Sequence, residues 1–360
     1  MNRARDFDLV AETRRLIEIS SISRGETEIA DYMQSRLQDT SLQIQVLRIA
    51  NNVVATVGEW DPTVGVLVAG HLDTVPPSPV SPDCSTDPET VTGLGAVDMK
   101  GGLAVMLALA MSDIAVPIRL VFYSCEEISR KFSGLLEIQR FDASLLVASG
   151  AILLEPTGGV IEAGCQGTAK FKVTLGGRRA HSARPWMGSN AIHRAHQFLA
   201  WLANFQPVAH DIDGCVFQES LLATGIAGGI AGNVVPDKVT IDINYRFAPL
   251  GPDSVSLENM MGQITNLLDE SQGDTVELIE SAPSAPPNLS NPVIAKLLKT
   301  SLGEVRAKLG WTDVAFFWEQ NIPACNFGPG DPLLAHSDHE IVTRIELERC
   351  AGVLYEMFLD

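Results

Sequence analysis

The sequence predicts an α/β catalytic domain, a mixed sheet flanked by helices, interrupted by a smaller inserted α+β domain. Two observations point to the first part. Residues 64–69, 118–123 and 151–154 are short unbroken apolar runs, the texture of strands buried on both faces. Between the first two lies an Ala/Leu/Met-rich stretch, 101–111, that reads as a helix packed on the sheet. Strands alternating with helices give a layered α/β architecture. A third observation points to the insert. Past Gly164 the texture changes to alternating strands at 168–175 and 238–247, with a helical stretch at 190–204 between them.

Taken in order, residues 9–19 are an amphipathic stretch, and the three apolar runs with their helix build the sheet as far as residue 164. The insert occupies 165–282. The Pro/Ser-rich segment 281–287 reads as a hinge back into the first domain, which resumes over 283–360. The chain shows no internal repeat and no low-complexity tract.

At 360 residues the chain exceeds what one hydrophobic core usually organises, so two domains are expected. A composition of 46% hydrophobic and 19% charged residues fits a packed globular enzyme. No run approaches the roughly 18 uncharged apolar residues of a membrane span. The opening residues lack the apolar core and cleavage site of a signal peptide, so a cytoplasmic location is expected. Cys84, Cys125, Cys165, Cys215, Cys325 and Cys350 are scattered, which indicates neither a disulfide framework nor a thiolate zinc site. A formal net charge of −18 repels phosphate backbones and anionic lipid, arguing against nucleic-acid or membrane-surface partners. Yet residues 163–210 contain no Asp or Glu while holding Lys170, Lys172, Arg178, Arg179, Arg184 and Arg194. That basic segment is either a place for an anionic substrate or a solvated face or subunit contact.

Each apolar run ends in potential ligands: His71 and Asp73 after the first, Glu126 and Glu127 after the second, Glu155 after the third. The carboxyl ends of strands are where ligands gather in open α/β sheets. Asp98, in a Gly-rich loop, and His336 complete a set of imidazoles and carboxylates of the kind that suits zinc and related divalent ions. A dinucleotide fingerprint fails, because Asp98 stands where its third glycine is required, and no Gly-x-Ser-x-Gly nucleophile elbow occurs. A non-catalytic metal-dependent binder needs ligands only. Glu126 beside Glu127 offers in addition the carboxylate base that hydrolysis requires.

Several long motifs then carry a family resemblance. Gly70-His71-Leu72-Asp73-Thr74-Val75-Pro76, Gly95-Ala96-Val97-Asp98-Met99-Lys100-Gly101-Gly102, Cys125-Glu126-Glu127 and Glu155-Pro156-Thr157 resemble, in order and spacing, the co-catalytic zinc peptidases and deacylases. That family includes aminoacylase, carboxypeptidase G, acetylornithine deacetylase and succinyl-diaminopimelate desuccinylase. The match continues through Gly177-Arg178-Arg179-Ala180-His181-Ser182-Ala183-Arg184-Pro185, Asn233-Val234-Val235-Pro236 and His336, and spans essentially the whole chain. Cys165-Gln166-Gly167-Thr168 and the segment around His181 look most like the actinobacterial desuccinylase branch.

The resemblance implies an amidohydrolase with two zinc ions per subunit, cobalt being able to replace them. His71 and Glu155 would hold one ion, Glu127 and His336 the other, and Asp98 both, with Asp73 orienting His71. Glu126 would be general base and then acid toward a zinc-bridging hydroxide attacking the amide. The insert would be a dimerisation (lid) domain, so a homodimer is implied, with His181 of a partner subunit holding the oxyanion. Thr168, Arg178, Arg184, Asn233, Arg246, Gly310 and Trp311 match substrate-contacting positions. The implied substrate is a small anionic N-acyl amino acid, N-succinyl-LL-2,6-diaminopimelate on this branch of lysine and cell-wall precursor biosynthesis, with N-acetylornithine or a dipeptide as the alternatives. Proteobacterial desuccinylases read Arg-Arg-Gly-Ser where this chain has Cys165-Gln166-Gly167-Thr168, so Arg184 is expected to supply the missing charge from another direction.

Overall fold

The computed structural model describes residues 7–359 apart from 41, 43, 79–86, 113 and 302, so Cys84 and the first six residues lie outside the described residues. The chain divides into two compact units. One comprises Met1–Gly164, Pro287–Arg306 and Asp313–Asp360, the other Cys165–Pro286 and Ala307–Thr312.

The first unit opens with α1 (Leu9–Glu18), capped by the Asp8 side chain, which accepts from the amides of Val10 and Ala11. There follow α2 (Thr27–Gln38), β1 (Ile44–Ile49), β2 (Asn52–Val57), β3 (Val66–His71) and β4 (Thr90–Thr92). Next come α3 (Gly101–Ala110), β5 (Ile118–Tyr123), α4 (Gly134–Asp142), β6 (Gly150–Leu153) and β7 (Ile161–Ala163). Every residue of α3 is buried, as its all-round apolar sequence requires. The first apolar run becomes a strand two residues later than expected. Val64 and Gly65 close a turn on the Asp61 carbonyl, and the strand instead runs on to His71 itself.

In the second unit, β8 (Gly167–Gly176), α5 (Ala191–Ala203), β9 (Ala209–Ile212), β10 (Cys215–Gln218), β11 (Ser220–Gly228), β12 (Lys238–Phe247), α6 (Asp253–Thr265) and β13 (Thr275–Ala282) follow in order. Four of these strands form an antiparallel sheet in the order β11-β12-β8-β13. Its inward positions include Phe171, Val173, Ile241, Ile243 and Phe247, and Ala195, Phe198, Met260 and Ile264 from the helices join the same core. Each large apolar side chain so buried contributes about 1.5–3 kcal/mol. The segment expected to be a hinge is partly strand: β13 reaches Ala282, and Ala285 exchanges both backbone hydrogen bonds with Cys165.

The acid-free segment is less available to an anion than its sequence implies. Lys170, Lys172, Arg179 and Arg194 each pair with a carboxylate from elsewhere in the unit, namely Glu280, Asp242, Asp237 and Asp274. The Arg194–Asp274 pair is the buried one. Asp274 also accepts from the amides of Gly176 at 2.8 Å and Asp269 at 3.0 Å. Burial pushes the Asp274 carboxyl up, but the Arg194 hydrogen bond and those amides win and hold it below its ordinary 3.8. Its stabilisation is therefore present above that ordinary value and lost as pH falls through the lower folded one. Asp274→Ala should cost about 2–3 kcal/mol at pH 7, chiefly by leaving the Gly176 and Asp269 amides without their acceptor. In urea unfolding, the difference from wild type should shrink steadily below pH 4.

The chain returns to the first unit with α7 (Pro292–Thr300), β14 (Val305–Ala307), α8 (Val314–Glu319), β15 (Ala324–Asn326), β16 (Ile341–Thr343) and α9 (Arg344–Leu359). The large sheet has the order β1-β2-β5-β3-β6-β15-β7-β14. At its centre β5, β3, β6 and β15 are parallel neighbours. A separate pairing of β16 with β4 brings residue 341 opposite residue 92.

Candidate metal centre

Because β5, β3 and β6 are parallel and adjacent, their carboxyl ends open at one edge of the sheet. His71 is the last residue of β3, Glu126 and Glu127 follow β5 after a short turn, and Glu155 lies two residues beyond β6. The buried His71 ring directs Nδ1 at the Asp73 main-chain oxygen, 2.9 Å away, with the Asp73 carboxylate at 3.6 Å. With Nδ1 donating to that carbonyl, Nε2 is the atom left to face the site. It lies 3.0 Å from Asp98 Oδ1 and 3.9 Å from Glu155 Oε1.

Asp98 sits in the turn Ala96–Lys100, entered through Gly95 at φ +81°, a left-handed conformation that favours glycine. The turn is held by Glu340, whose Oε2 accepts from the amides of Val97 at 3.1 Å and Asp98 at 3.3 Å. His336, itself left-handed at φ +60°, puts Nε2 2.9 Å from Glu127 Oε1 and 3.3 Å from Asp98 Oδ2. The two oxygens of Asp98 thus face two different imidazoles. Potential ligand atoms of His71, Asp98 and Glu155 lie within 4.8 Å of one another, as do those of Asp98, Glu127 and His336, and those of His71, Glu126 and Glu127.

The electrostatics match this crowding. Burial opposes a charge on His71, but the Asp98 hydrogen bond and the charges of Glu155, Asp98 and Asp73 hold its pKa well above 6.5. Hydrogen bonds to Asp98 and Glu127 push His336 up to about 10. Burial raises Asp98, yet hydrogen bonds and charge from His336 and His71 prevail and keep it well below the usual carboxylate range. Burial lifts Glu126 well above its ordinary value; His71 opposes, and the charges of Glu155, Asp313 and Glu127 add to the rise. Carboxylates this close require compensating positive charge, and the imidazole/carboxylate donor set fits a divalent cation of the zinc type.

The turn carrying Glu126 and Glu127 is fixed by side chains that are remote in sequence. Asp73 accepts from the amide of Glu126 at 2.9 Å and of Glu127 at 3.1 Å, and Ser23 donates to it at 2.8 Å. Glu26, fully buried, accepts from the Cys125 amide at 3.2 Å and its thiol at 3.3 Å. Burial, followed by Glu26, pushes that thiol up to about 12, so it stays protonated and donating. Asn52 Oδ1 accepts from the Ser124 amide at 2.9 Å. Sequence reasoning missed Glu26, Asn52 and Glu340. Glu26 stands at the N-cap position of α2, where an acid is ordinarily read as a cap, yet its side chain makes no cap bond. Glu340 could have been noticed as an acid four residues after His336 and just before an apolar strand.

The remaining expected residues belong to the second unit. His181 is exposed, and its Nδ1 accepts from the Ala183 amide at 3.1 Å. Arg184 and Asn233 flank it through backbone bonds: Arg184 N donates to His181 O and Ser182 N to Asn233 O. Arg178 donates to the Met187 carbonyl at 3.1 Å. Thr168 and Arg246 are register partners on β8 and β12; the Thr168 hydroxyl is buried with no hydrogen-bond partner, and burial lowers the Arg246 pKa. Gly310 is exposed, and Trp311 donates its indole N–H to the Pro283 carbonyl at 3.0 Å.

Comparison with known proteins agrees with the motif resemblance. Residues 67–360 match the model of peptidase family M20/M25/M40. A Corynebacterium glutamicum succinyl-diaminopimelate desuccinylase is 38% identical over 354 residues, 96% of this chain and 95% of that one. A Mycobacterium tuberculosis protein that carries the same name provisionally is 44% identical over 338 residues, 93% of each chain. The solved structure of a dinuclear metal binding peptidase of the M20 family from Bacillus subtilis shares the fold, with a TM-score of 0.70 and 16% identity over 98% of both chains. Matched over most of its length and closely related to named members, the chain belongs to the metal-dependent peptidase family M20/M25/M40.

Proposed function

We propose that the chain hydrolyses the amide bond of N-succinyl-LL-2,6-diaminopimelate to succinate and LL-2,6-diaminopimelate, using two divalent cations, zinc or cobalt in its place. The observation that carries this reading is Asp98 standing between two imidazoles, one oxygen to each, in a chain 38% identical to the Corynebacterium desuccinylase. His71 and Glu155 would hold one cation, Glu127 and His336 the second, and Asp98 both. When bound, such cations supply Lewis acidity, polarising the amide carbonyl and making water acidic near neutral pH. Glu126 takes the proton from the attacking water as the new C–O bond forms, then passes it to the amine nitrogen as the C–N bond breaks. Asp73 keeps that carboxylate in place by gripping its backbone amide.

His181 suits an oxyanion donor. With Nδ1 occupied as an acceptor, Nε2 is the ring nitrogen available to donate. A homodimer in which His181 serves the partner's site is supported by the edge strand β11, which leaves Leu222 and Ile226 exposed. Thr168 and Arg246 form a hydroxyl–guanidinium pair suited to a substrate carboxylate. Arg178, Asn233, Gly310 and Trp311 complete the substrate-contacting set. Among the described residues no helix is long and apolar enough to cross a membrane, and Cys125, Cys165, Cys215, Cys325 and Cys350 are buried and joined in no disulfide. Unbridged thiols fit a reducing cytoplasm.

Of the basic residues in the acid-free segment, Arg178 and Arg184 pair with no carboxylate among the described residues; Arg178 donates to the Met187 carbonyl, and Arg184 is the one assigned to the substrate's acidic groups. Arg184→Ala should raise KM for the succinylated substrate about tenfold, the scale of one charge-assisted hydrogen bond, with kcat little changed. An unchanged KM removes Arg184 from the binding set.

The test of function is a side-by-side assay of zinc-loaded protein on N-succinyl-diaminopimelate, N-acetylornithine and a simple dipeptide. A preference for the first of at least about a hundredfold in kcat/KM, on the order of 3 kcal/mol of transition-state discrimination, is expected. Preference for either of the others would reject the substrate while leaving the metal chemistry standing.

A further inference from the structure

Four consecutive backbone amides, those of residues 124–127, are all received by side chains rather than by a strand or helix ladder. Asn52 takes the first, Glu26 the second, and the two oxygens of Asp73 the third and fourth. Within that run Cys125 adopts φ +61°, a left-handed conformation unusual for a residue with a β-carbon. Such a conformation persists only where its surroundings over-determine it. It has a chemical consequence. By turning the chain just past the end of β5, it sets where Glu126 and Glu127 stand relative to that strand, Glu127 meeting His336 at 2.9 Å.

We propose that Glu26 is a positioning residue for this pair, its buried carboxylate holding the turn at Cys125 in the conformation that sets both glutamates. The contacts fit that task closely. Glu26 Oε1 receives the Cys125 amide, the Cys125 thiol and, at 2.8 Å, the Arg24 amide, while Oε2 receives Asn51 Nδ2 at 3.4 Å. Arg24 is itself left-handed, at φ +76°, so a single carboxylate ties two unusual backbone turns together from opposite sides of a 99-residue gap. The next link in the clamp is equally tight. A β-carbon on Gly134 would lie 2.0 Å from Asn52 Oδ1, so the chain keeps glycine where Asn52 must reach the Ser124 amide. The carboxylate acts through reach and acceptor geometry rather than charge. Glutamine keeps Oε1 as acceptor for the Arg24 and Cys125 contacts and gives up only the long one from Asn51, whereas aspartate is one methylene short of the amide.

The role rests on the hydrolytic reading given above, so its test has two independent readouts. Zinc-loaded full-length Glu26→Asp and Glu26→Gln would be compared with wild type by steady-state kinetics on N-succinyl-diaminopimelate and by zinc affinity in chelator competition, with melting curves to show that each is folded. Glu26→Asp should lose at least about tenfold in kcat with KM within twofold, and about tenfold in zinc affinity through the displaced Glu127, the scale seen when supporting partners of ligands are removed. Glu26→Gln should stay within about threefold of wild type in both. Wild-type kcat and zinc affinity in folded Glu26→Asp would overturn the proposal, and so would a Glu26→Gln protein impaired tenfold or more. If the wild type itself turned over no succinylated substrate, the substrate reading would fail instead, and the zinc titration alone would judge Glu26.

Discussion

Glu126→Gln is expected to lower kcat about a thousandfold, roughly 4 kcal/mol of transition-state stabilisation, while leaving KM within twofold and metal content intact. The size follows from the carboxylate moving a proton twice, off the attacking water and onto the departing amine. The selectivity follows from the backbone: the Glu126 amide is held by Asp73 at 2.9 Å whatever the side chain, so glutamine occupies the same place without the ability to accept and release a proton. Stopped-flow or steady-state hydrolysis together with metal analysis checks it. Ligand atoms of Glu126 also lie within 4.8 Å of those of His71 and Glu127. A loss of metal in the variant would make Glu126 a ligand and leave the base unassigned.

Asp98→Ala should remove both cations at once and depress kcat/KM by at least about ten-thousandfold, above 5 kcal/mol. His71→Ala and His336→Ala should each weaken one. Asp98 differs because its two oxygens face His71 at 3.0 Å and His336 at 3.3 Å, one imidazole from each half. Proton counting gives a second reading of the same arrangement. In chelator-stripped protein His336 is pushed up to about 10, so at pH 7.5 its imidazole holds a proton that zinc must displace, and His71 is raised in the same direction. Calorimetry in buffers of different ionisation enthalpy should show net proton release on loading the wild type, smaller in His336→Ala. Since both histidines are raised above their unfolded values, the stripped protein is stabilised by those protons below pH 6.5. It loses that stabilisation as pH rises toward about 10.

Much of this site was legible because it is periodic or local. The apolar runs became β3, β5 and β6, and a candidate ligand at or shortly after the end of each of three adjacent parallel strands is brought to one edge by the sheet itself. Helix α5, with Asn190 and Asn204 at its caps, is equally a product of local pattern. What escaped was non-local. Glu26 and Cys125 are 99 residues apart, and Glu340 reaches back 242 residues to Asp98, distances across which a single sequence carries no pairing signal. The basic segment misled for the same reason. Lys170, Lys172, Arg179 and Arg194 meet carboxylates on β12, β13 and the loops beside them, and strand pairing brings those together.

The central claim is that Asp98 joins two metal sites, and a zinc-soaked crystal measured on both sides of the zinc absorption edge tests it most directly. The account predicts two anomalous peaks flanking the Asp98 carboxylate, one in contact with His71 and Glu155 and the other with Glu127 and His336. A single peak, or a pair that leaves Asp98 without a bond to both, would contradict it.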